Sequence, residues 1–225
     1  MSKNITLAFD VYGTLIDTNG VVDLLKTMLG DKAKSFSQTW RDKQLEYSFR
    51  RAAMVNYVSF AVCTTQALEY ACLYYKVSLT QNQKDELLAI YKVLPAFEEV
   101  KHALTILKEE GYRLYAFSNG QSSAVELLLE NAGIKNLFIG IVSVDDIKTF
   151  KPSPGAYAHF LRSSDVNGDE AWLISSNSFD VTGAISAGMK SAWIKRTAES
   201  LFDPWEIQPT FEVNSLLEFT KKICK

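Results

Sequence analysis

Histidine and cysteine are scarce in this 225-residue chain, with 2 and 3 copies. His102 and His159 have no Cys or His at ligand spacing beside them, which excludes a structural zinc site. Cys63 and Cys72 are nine positions apart in one predicted helix, about 13 Å along its axis and on opposite faces. They cannot bridge each other, so a reducing compartment, the cytoplasm, is expected. Long apolar runs are also missing: no stretch reaches the roughly 18 residues of a membrane span. The first residues lead almost directly into a strand without a charged leader, so a soluble protein is expected. No basic run exceeds Arg50-Arg51 or Lys221-Lys222, and 24 basic against 26 acidic residues leave a formal charge of −2. A nucleic-acid or anionic-membrane surface is therefore not expected. Glycine (11) and proline (5) are too few for a fibrous or disordered chain, and 47% hydrophobic residues supply a core. The length suits one α/β domain with an inserted lobe.

The run Ile5 to Phe9 is nearly continuously apolar and ends on Asp10 with Gly13 behind it, the pattern of a buried parallel strand delivering an acid into a loop. The next comparable strand is Tyr112 to Ser118. Between them the apolar residues fall at helical spacing, over Phe36 to Arg51, Val55 to Tyr75 and Thr80 to Leu94, with Thr80 and Gln83 as a capping box. From Phe97 onward helices and strands alternate: strands at 112–118, 138–143, 171–175 and 191–194, helices between them, and a last helix capped by Ser215 with Glu218. This order predicts a Rossmann-like α/β fold, a parallel sheet with helices on both faces plus an inserted all-helical cap. Residues 1–15 and 96–225 form the predicted core domain and 16–95 the cap.

Ligands bind parallel sheets at the carboxyl ends of the strands. The groups there are Asp10, Tyr12 and Thr14; Ser118, Asn119 and Gly120; Lys151; and Ser175, Asn177 and Asp180. A single acid or serine after a strand is more often a helix cap than a catalyst. Polar groups at all four sites are not so easily dismissed.

Four segments, Asp10-Val11-Tyr12-Gly13-Thr14-Leu15, Ser118-Asn119-Gly120, Lys151-Pro152 and Ser175 to Asp180, resemble the four motifs of the haloacid dehalogenase superfamily. Their order and spacing agree over the whole chain. The helical lobe carries Trp40-Arg41-Asp42-Lys43-Gln44-Leu45-Glu46-Tyr47, which is similar to the cap motif of the L-2-haloacid dehalogenases of type II. Two positions depart from that subfamily, Asp42 in place of its usual Gln and Phe179 in place of its usual Trp.

The resemblance implies that Asp10 attacks carbon 2 of a small 2-haloalkanoic acid, expelling halide and forming an ester that water hydrolyses to a 2-hydroxy acid. It implies catalytic roles for Asp10, Thr14, Arg41, Ser118, Lys151, Ser175, Asn177 and Asp180. Substrate contacts fall to Tyr12, Asp42, Leu45, Phe60, Asn119, Tyr157 and Phe179, with no cofactor or metal. A magnesium-dependent phosphatase is the alternative. Such enzymes carry a second Asp where this chain has Tyr12, and further acids where it has Ser175, Ser176 and Asn177. A phosphate dianion about 4 Å from a carboxylate meets roughly 4 kcal/mol of repulsion per charge pair, about 8 in total. A divalent ion normally offsets that. A catalytically idle binding protein is a third class, disfavoured by the joint presence of Asp10, Lys151 and Asp180. The segment Val55 to Tyr75 is apolar on more faces than a small cap buries. A homodimer is therefore expected, with Leu68 and Leu73 on its interface.

Overall fold

The computed structural model describes residues 5–225. Six strands, β1 (Thr6–Phe9), β2 (Arg113–Ser118), β3 (Gly140–Ser143), β4 (Ala171–Ser175), β5 (Lys190–Ile194) and β6 (Phe211–Val213), form one sheet in the order β3-β2-β1-β4-β5-β6. All five pairings are parallel. The strand order reverses between β1 and β4, so a crevice opens above their carboxyl ends. Asp10 and Ser175 stand there.

Alternation along the strands sorts the core into two layers. Leu7, Phe9, Leu114, Ala116, Trp172 and Ile174 face one way, against α5 (Val100–Glu109), α6 (Ser122–Asn131) and α9 (Leu216–Ile223). Ala8, Tyr115, Phe117 and Leu173 face the other, against α7 (Pro154–Ser164) and α8 (Ser178–Ser186). Helices thus cover both faces. Fully burying a Leu or Phe contributes about 1.5–3 kcal/mol, and both layers are built largely of such residues.

Between β1 and β2 lie α1 (Asn19–Leu29), α2 (Ala33–Ala53), α3 (Phe60–Tyr75) and α4 (Gln81–Ala89). The chain leaves and re-enters the sheet domain through a paired ribbon. Asp17 N donates to Pro95 O at 2.9 Å, Phe97 N to Leu15 O at 3.0 Å, and Ile16 bridges Ala96. Thr80 and Gln83 form the predicted capping box of α4, and Ser215 caps α9.

Two expectations differ from what is observed, and one strand, β6, is additional to those expected. The segment 55–75 is not one helix: α3 begins at Phe60, after a turn in which Val55 takes φ 53°. The Arg51 guanidinium holds that turn by donating to Asn56 O and Oδ1, a contact that apolar spacing cannot reveal. Leu68 is fully buried, whereas Leu73 is 78% exposed, so only Leu73 faces outward. The short edge strand β6 has too little apolar pattern to be read from sequence.

Candidate active site

β1 ends on Asp10, and the next residues turn sharply, with Gly13 at φ +78°, a backbone region that favours glycine. The turn brings Thr14 back so that its Oγ1 donates to Asp10 Oδ2 at 2.8 Å. Two more donors reach the same oxygen from the end of β4, Ser175 Oγ at 3.1 Å and Asn177 Nδ2 at 2.8 Å. Among the described residues, Asp10 Oδ1 accepts from Lys151 Nζ alone, at 2.8 Å.

Lys151 follows β3 and is almost wholly buried. Asn119 Oδ1 accepts its backbone N–H at 2.8 Å, and its ammonium also donates to Phe117 O at 3.2 Å and Asp180 Oδ2 at 2.5 Å. It therefore joins two carboxylates. Asp180 lies in the first turn of α8, has no exposed surface, and accepts from Tyr157 Oη at 2.8 Å. A Cβ on Gly183 would overlap the Tyr157 hydroxyl, so glycine there lets the phenol reach Asp180.

Burial by itself would raise the Asp10 carboxyl. The Lys151 charge and the hydrogen bonds outweigh it and hold Asp10 below the usual carboxylate range. Burial would likewise lower Lys151, but Asp10 and Asp180 keep it above the usual lysine range. Asp180 has fewer compensating donors. Burial, reinforced by the Asp10 charge, pushes it up to about 6 despite Lys151.

Over this cluster the cap places Arg41 and Leu45 from α2 and Phe60 from the start of α3. With Asp10, Tyr12, Ser118, Asn119, Lys151, Asn177 and Phe179 they enclose a small cavity. The space in which a water molecule's centre can move is about 20 Å³, on the order of one or two water positions. Burial lowers Arg41 from its ordinary value, yet guanidinium remains a cation at neutral pH. Arg41 Nη2 donates to Asn177 Oδ1 at 3.3 Å. Phe179 is held edge-on by Phe49, with ring centres 5.0 Å apart.

A family model described as haloacid dehalogenase-like hydrolase matches residues 6–188. The chain belongs to this family. Among relatives, haloacetate dehalogenase H-2 of Moraxella sp. (strain B) is 35% identical over 95% of each chain. An (S)-2-haloacid dehalogenase of Pseudomonas sp. (strain YL) is 33% identical over 93% of this chain and 90% of the relative. The crystal structure of L-2-haloacid dehalogenase from Xanthobacter autotrophicus, with chloropropionic acid covalently bound, superposes with a TM-score of 0.90. It is 27% identical and covers 99% of this chain and 98% of that one.

Most of the residues named from sequence do converge in this haloacid dehalogenase-like site, with four differences in placement; one is Asp180, fully buried and separated from the cavity by Lys151. Thr14 and Ser175 are fully buried and touch Asp10 from behind the cavity wall. Tyr157 is also fully buried, packed under Asp180 rather than lining the cavity. Its place in α7 sends it to the sheet face. Asp42 is exposed and accepts from Gln38 Nε2 at 2.8 Å on the outer side of α2. Helical geometry explains this: one residue after Arg41 points about 100° away. Gln44, by contrast, stands in the quoted cap motif without an assigned role, although it accepts from Arg41 at 2.7 Å. Its signal was a polar side chain three positions along the helix from Arg41. Tyr91 was missed as well; it packs edge-on against both Trp40 and Tyr12.

Proposed function

We propose that the protein is a hydrolytic (S)-2-haloacid dehalogenase acting on small 2-haloalkanoic acids, with residues 16–95 serving as the cap over a core of 1–15 and 96–225. The observation that carries this reading is Asp10 itself, an ionised carboxylate with three donors on Oδ2 and one on Oδ1. Oδ1 keeps a free lone pair for attack on carbon 2. Halide leaves toward Arg41, and the product is an ester on Asp10. Water then adds to the ester's carbonyl carbon. Negative charge grows on Oδ2, where Thr14, Ser175 and Asn177 already donate, an arrangement that stabilises an oxyanion without reorganisation. Asp180 takes the proton from water by way of the Lys151 ammonium that separates it from the cavity; collapse of the intermediate returns that proton to the departing alkoxide oxygen, which frees the 2-hydroxy acid, and the proton left on the Asp10 carboxyl passes to solvent, which restores the carboxylate.

Lys151 keeps the nucleophile ionised. Ser118 and the backbone N–H groups near Asn119 receive the substrate carboxylate, while Tyr12, Leu45, Phe60 and Phe179 surround carbon 2 and the halogen. The expected substrates are acids of two or three carbons. The name haloacetate dehalogenase in one relative agrees with that size.

The donor set also separates this reading from a magnesium phosphatase. The phenol of Tyr12, pushed up to about 12 by burial, stays neutral where a phosphatase has its second Asp. Among the described residues no three His, Cys, Asp or Glu side chains cluster to hold a metal ion. Halide release from L-2-chloropropionate should therefore be unchanged in EDTA, and phosphate release from p-nitrophenyl phosphate should be absent with or without magnesium. Dehalogenation lost to EDTA and restored by magnesium would overturn the reading.

We place the protein in the cytoplasm, since Cys63 and Cys72 are unbridged and no helix of the described residues is long and apolar enough to cross a membrane. It acts as a homodimer. The support is the outer face of α3, where Leu73 is 78%, Tyr74 63% and Val62 40% exposed, an apolar patch uncommon on monomers. Light scattering at low micromolar concentration should give twice the mass of one chain. Leu73→Glu with Tyr74→Glu should halve it; a mass near 25.3 kDa for the unaltered protein would remove the dimer.

A further inference from the structure

Among the described residues the Arg41 guanidinium has no carboxylate in hydrogen-bond contact, although the Asp10 and Asp42 charges act on it from farther away. Its recorded partners are two amide oxygens, Gln44 Oε1 at 2.7 Å and Asn177 Oδ1 at 3.3 Å. An amide oxygen fixes a guanidinium in place without cancelling its charge. Gln44 is 3% exposed, an uncommon site for glutamine unless its polar atoms are satisfied. They are: its Nε2 donates to Thr64 Oγ1 at 2.5 Å, and the Thr64 hydroxyl donates to Phe60 O at 2.9 Å.

The direction of this chain is determined throughout. Guanidinium can only donate, so the Gln44 carbonyl must face it. The Gln44 NH₂ must then face Thr64, whose single hydroxyl proton is left for Phe60 O. Flipping the amide would set NH₂ against guanidinium and leave both without an acceptor. One turn away, Trp40 Nε1 donates to Thr64 O at 2.9 Å, which bolts α2 to α3 at the same level. Arg41 and Phe60, the cavity's charge and one of its apolar walls, are therefore set by one buried polar line.

We propose that Gln44, seconded by Thr64, is the positioning residue that aims the Arg41 guanidinium at the departing halide and leaves its charge unspent. The proposal rests on the dehalogenase reading for what Arg41 does, but not for how it is held. Interactions that strengthen as charge develops on the halide act on kcat rather than KM. They matter most for the halogen that leaves least readily.

The test compares 2-chloropropionate with 2-iodopropionate, with active sites counted by the burst of halide in the first turnover. Gln44→Met removes the acceptor and keeps the length. Loss of a hydrogen bond to a charged group corresponds to a roughly ten- to hundredfold effect. That loss should fall on kcat for the chloro acid and be several-fold smaller for the iodo acid. Thr64→Val should reproduce the pattern more weakly, and Thr64→Ser should recover most of it. Gln44→Glu should do worse than Gln44→Met, because its carboxylate pairs with Arg41. A merely structural defect scales both halogens alike, and equal losses would overturn the proposal.

A second readout needs no turnover. Rotation of the Arg41 guanidinium about its Cζ–Nε bond, followed by nitrogen NMR of the free enzyme, should be slow in the parent and fast in Gln44→Met. Unchanged rotation overturns the proposal. Should Gln44→Met fail to fold, Thr64→Val is read by the same two measurements. A parent protein that releases no halide would sink the dehalogenase reading and leave the rotation experiment to decide the positioning.

Discussion

Asp10→Asn is expected to release no halide above background, a fall in kcat on the order of 10⁴-fold or more. The oxygen that attacks must carry charge and a free lone pair, and Lys151 together with the Oδ2 donors supplies the first by holding Asp10 ionised. An amide lacks the charge, and only one of its two terminal atoms can accept. With its oxygen toward Thr14, Ser175 and Asn177, its NH₂ takes the place of Oδ1, so the attacking oxygen is lost and a donor faces the Lys151 ammonium. The fold should survive, because the remaining contacts of β1 are backbone pairing and apolar packing, and circular dichroism should be unchanged. In the parent enzyme, a single turnover in heavy-oxygen water should put the label on Asp10, since water attacks the ester's carbonyl carbon. Label appearing directly in the first hydroxy acid would mean that water attacks carbon 2 and Asp10 is no nucleophile.

Legibility of the site from sequence depended on how each residue is positioned. Asp10, Ser118, Ser175 and Asn177 stand at or just past strand ends, where a parallel sheet gathers polar groups whatever the rest of the chain does. Their convergence follows from strand order alone. Arg41 needed its motif, because helical spacing cannot say which face of α2 meets the sheet domain. The same ambiguity made Asp42 look like a substrate neighbour when the turn of the helix points it to solvent. Tyr157 and Gln44 work from behind other residues, Tyr157 through Asp180 and Gln44 through Arg41. No linear pattern records the Tyr157 contact, and the i,i+3 spacing of Gln44 from Arg41 allows a contact without saying what it does. The apolar count over 55–75 correctly flagged an excess of hydrophobic surface. It could not assign faces, and so it paired buried Leu68 with exposed Leu73.

Asp180→Asn should separate the two chemical steps. Asparagine has the same shape, and its carbonyl oxygen can still accept from Lys151, so Asp10 stays ionised and the first displacement proceeds. Halide should appear as a burst of one equivalent per active site. Hydrolysis then stalls for want of a proton acceptor, steady-state turnover falls by about 10²–10⁴-fold, and the ester on Asp10 becomes detectable by mass spectrometry of the intact protein. The pH profile tests the same assignment independently. With Asp10 ionised, Asp180 is pushed up to about 6 by burial and by the Asp10 charge; the ester removes that charge, and only ionised Asp180 accepts a proton, so kcat in the parent should hold at neutral pH and fall on the acid side of about 6, approaching tenfold per unit there. The opposite limb belongs to Lys151, which its two carboxylates hold above the usual lysine range, so activity should persist well into alkaline solution. In Asp180→Asn the acid limb should vanish along with most of the rate. A variant that loses the halide burst as well would make Asp180 a support for Lys151 rather than the base, and one that turns over normally would remove Asp180 from the mechanism.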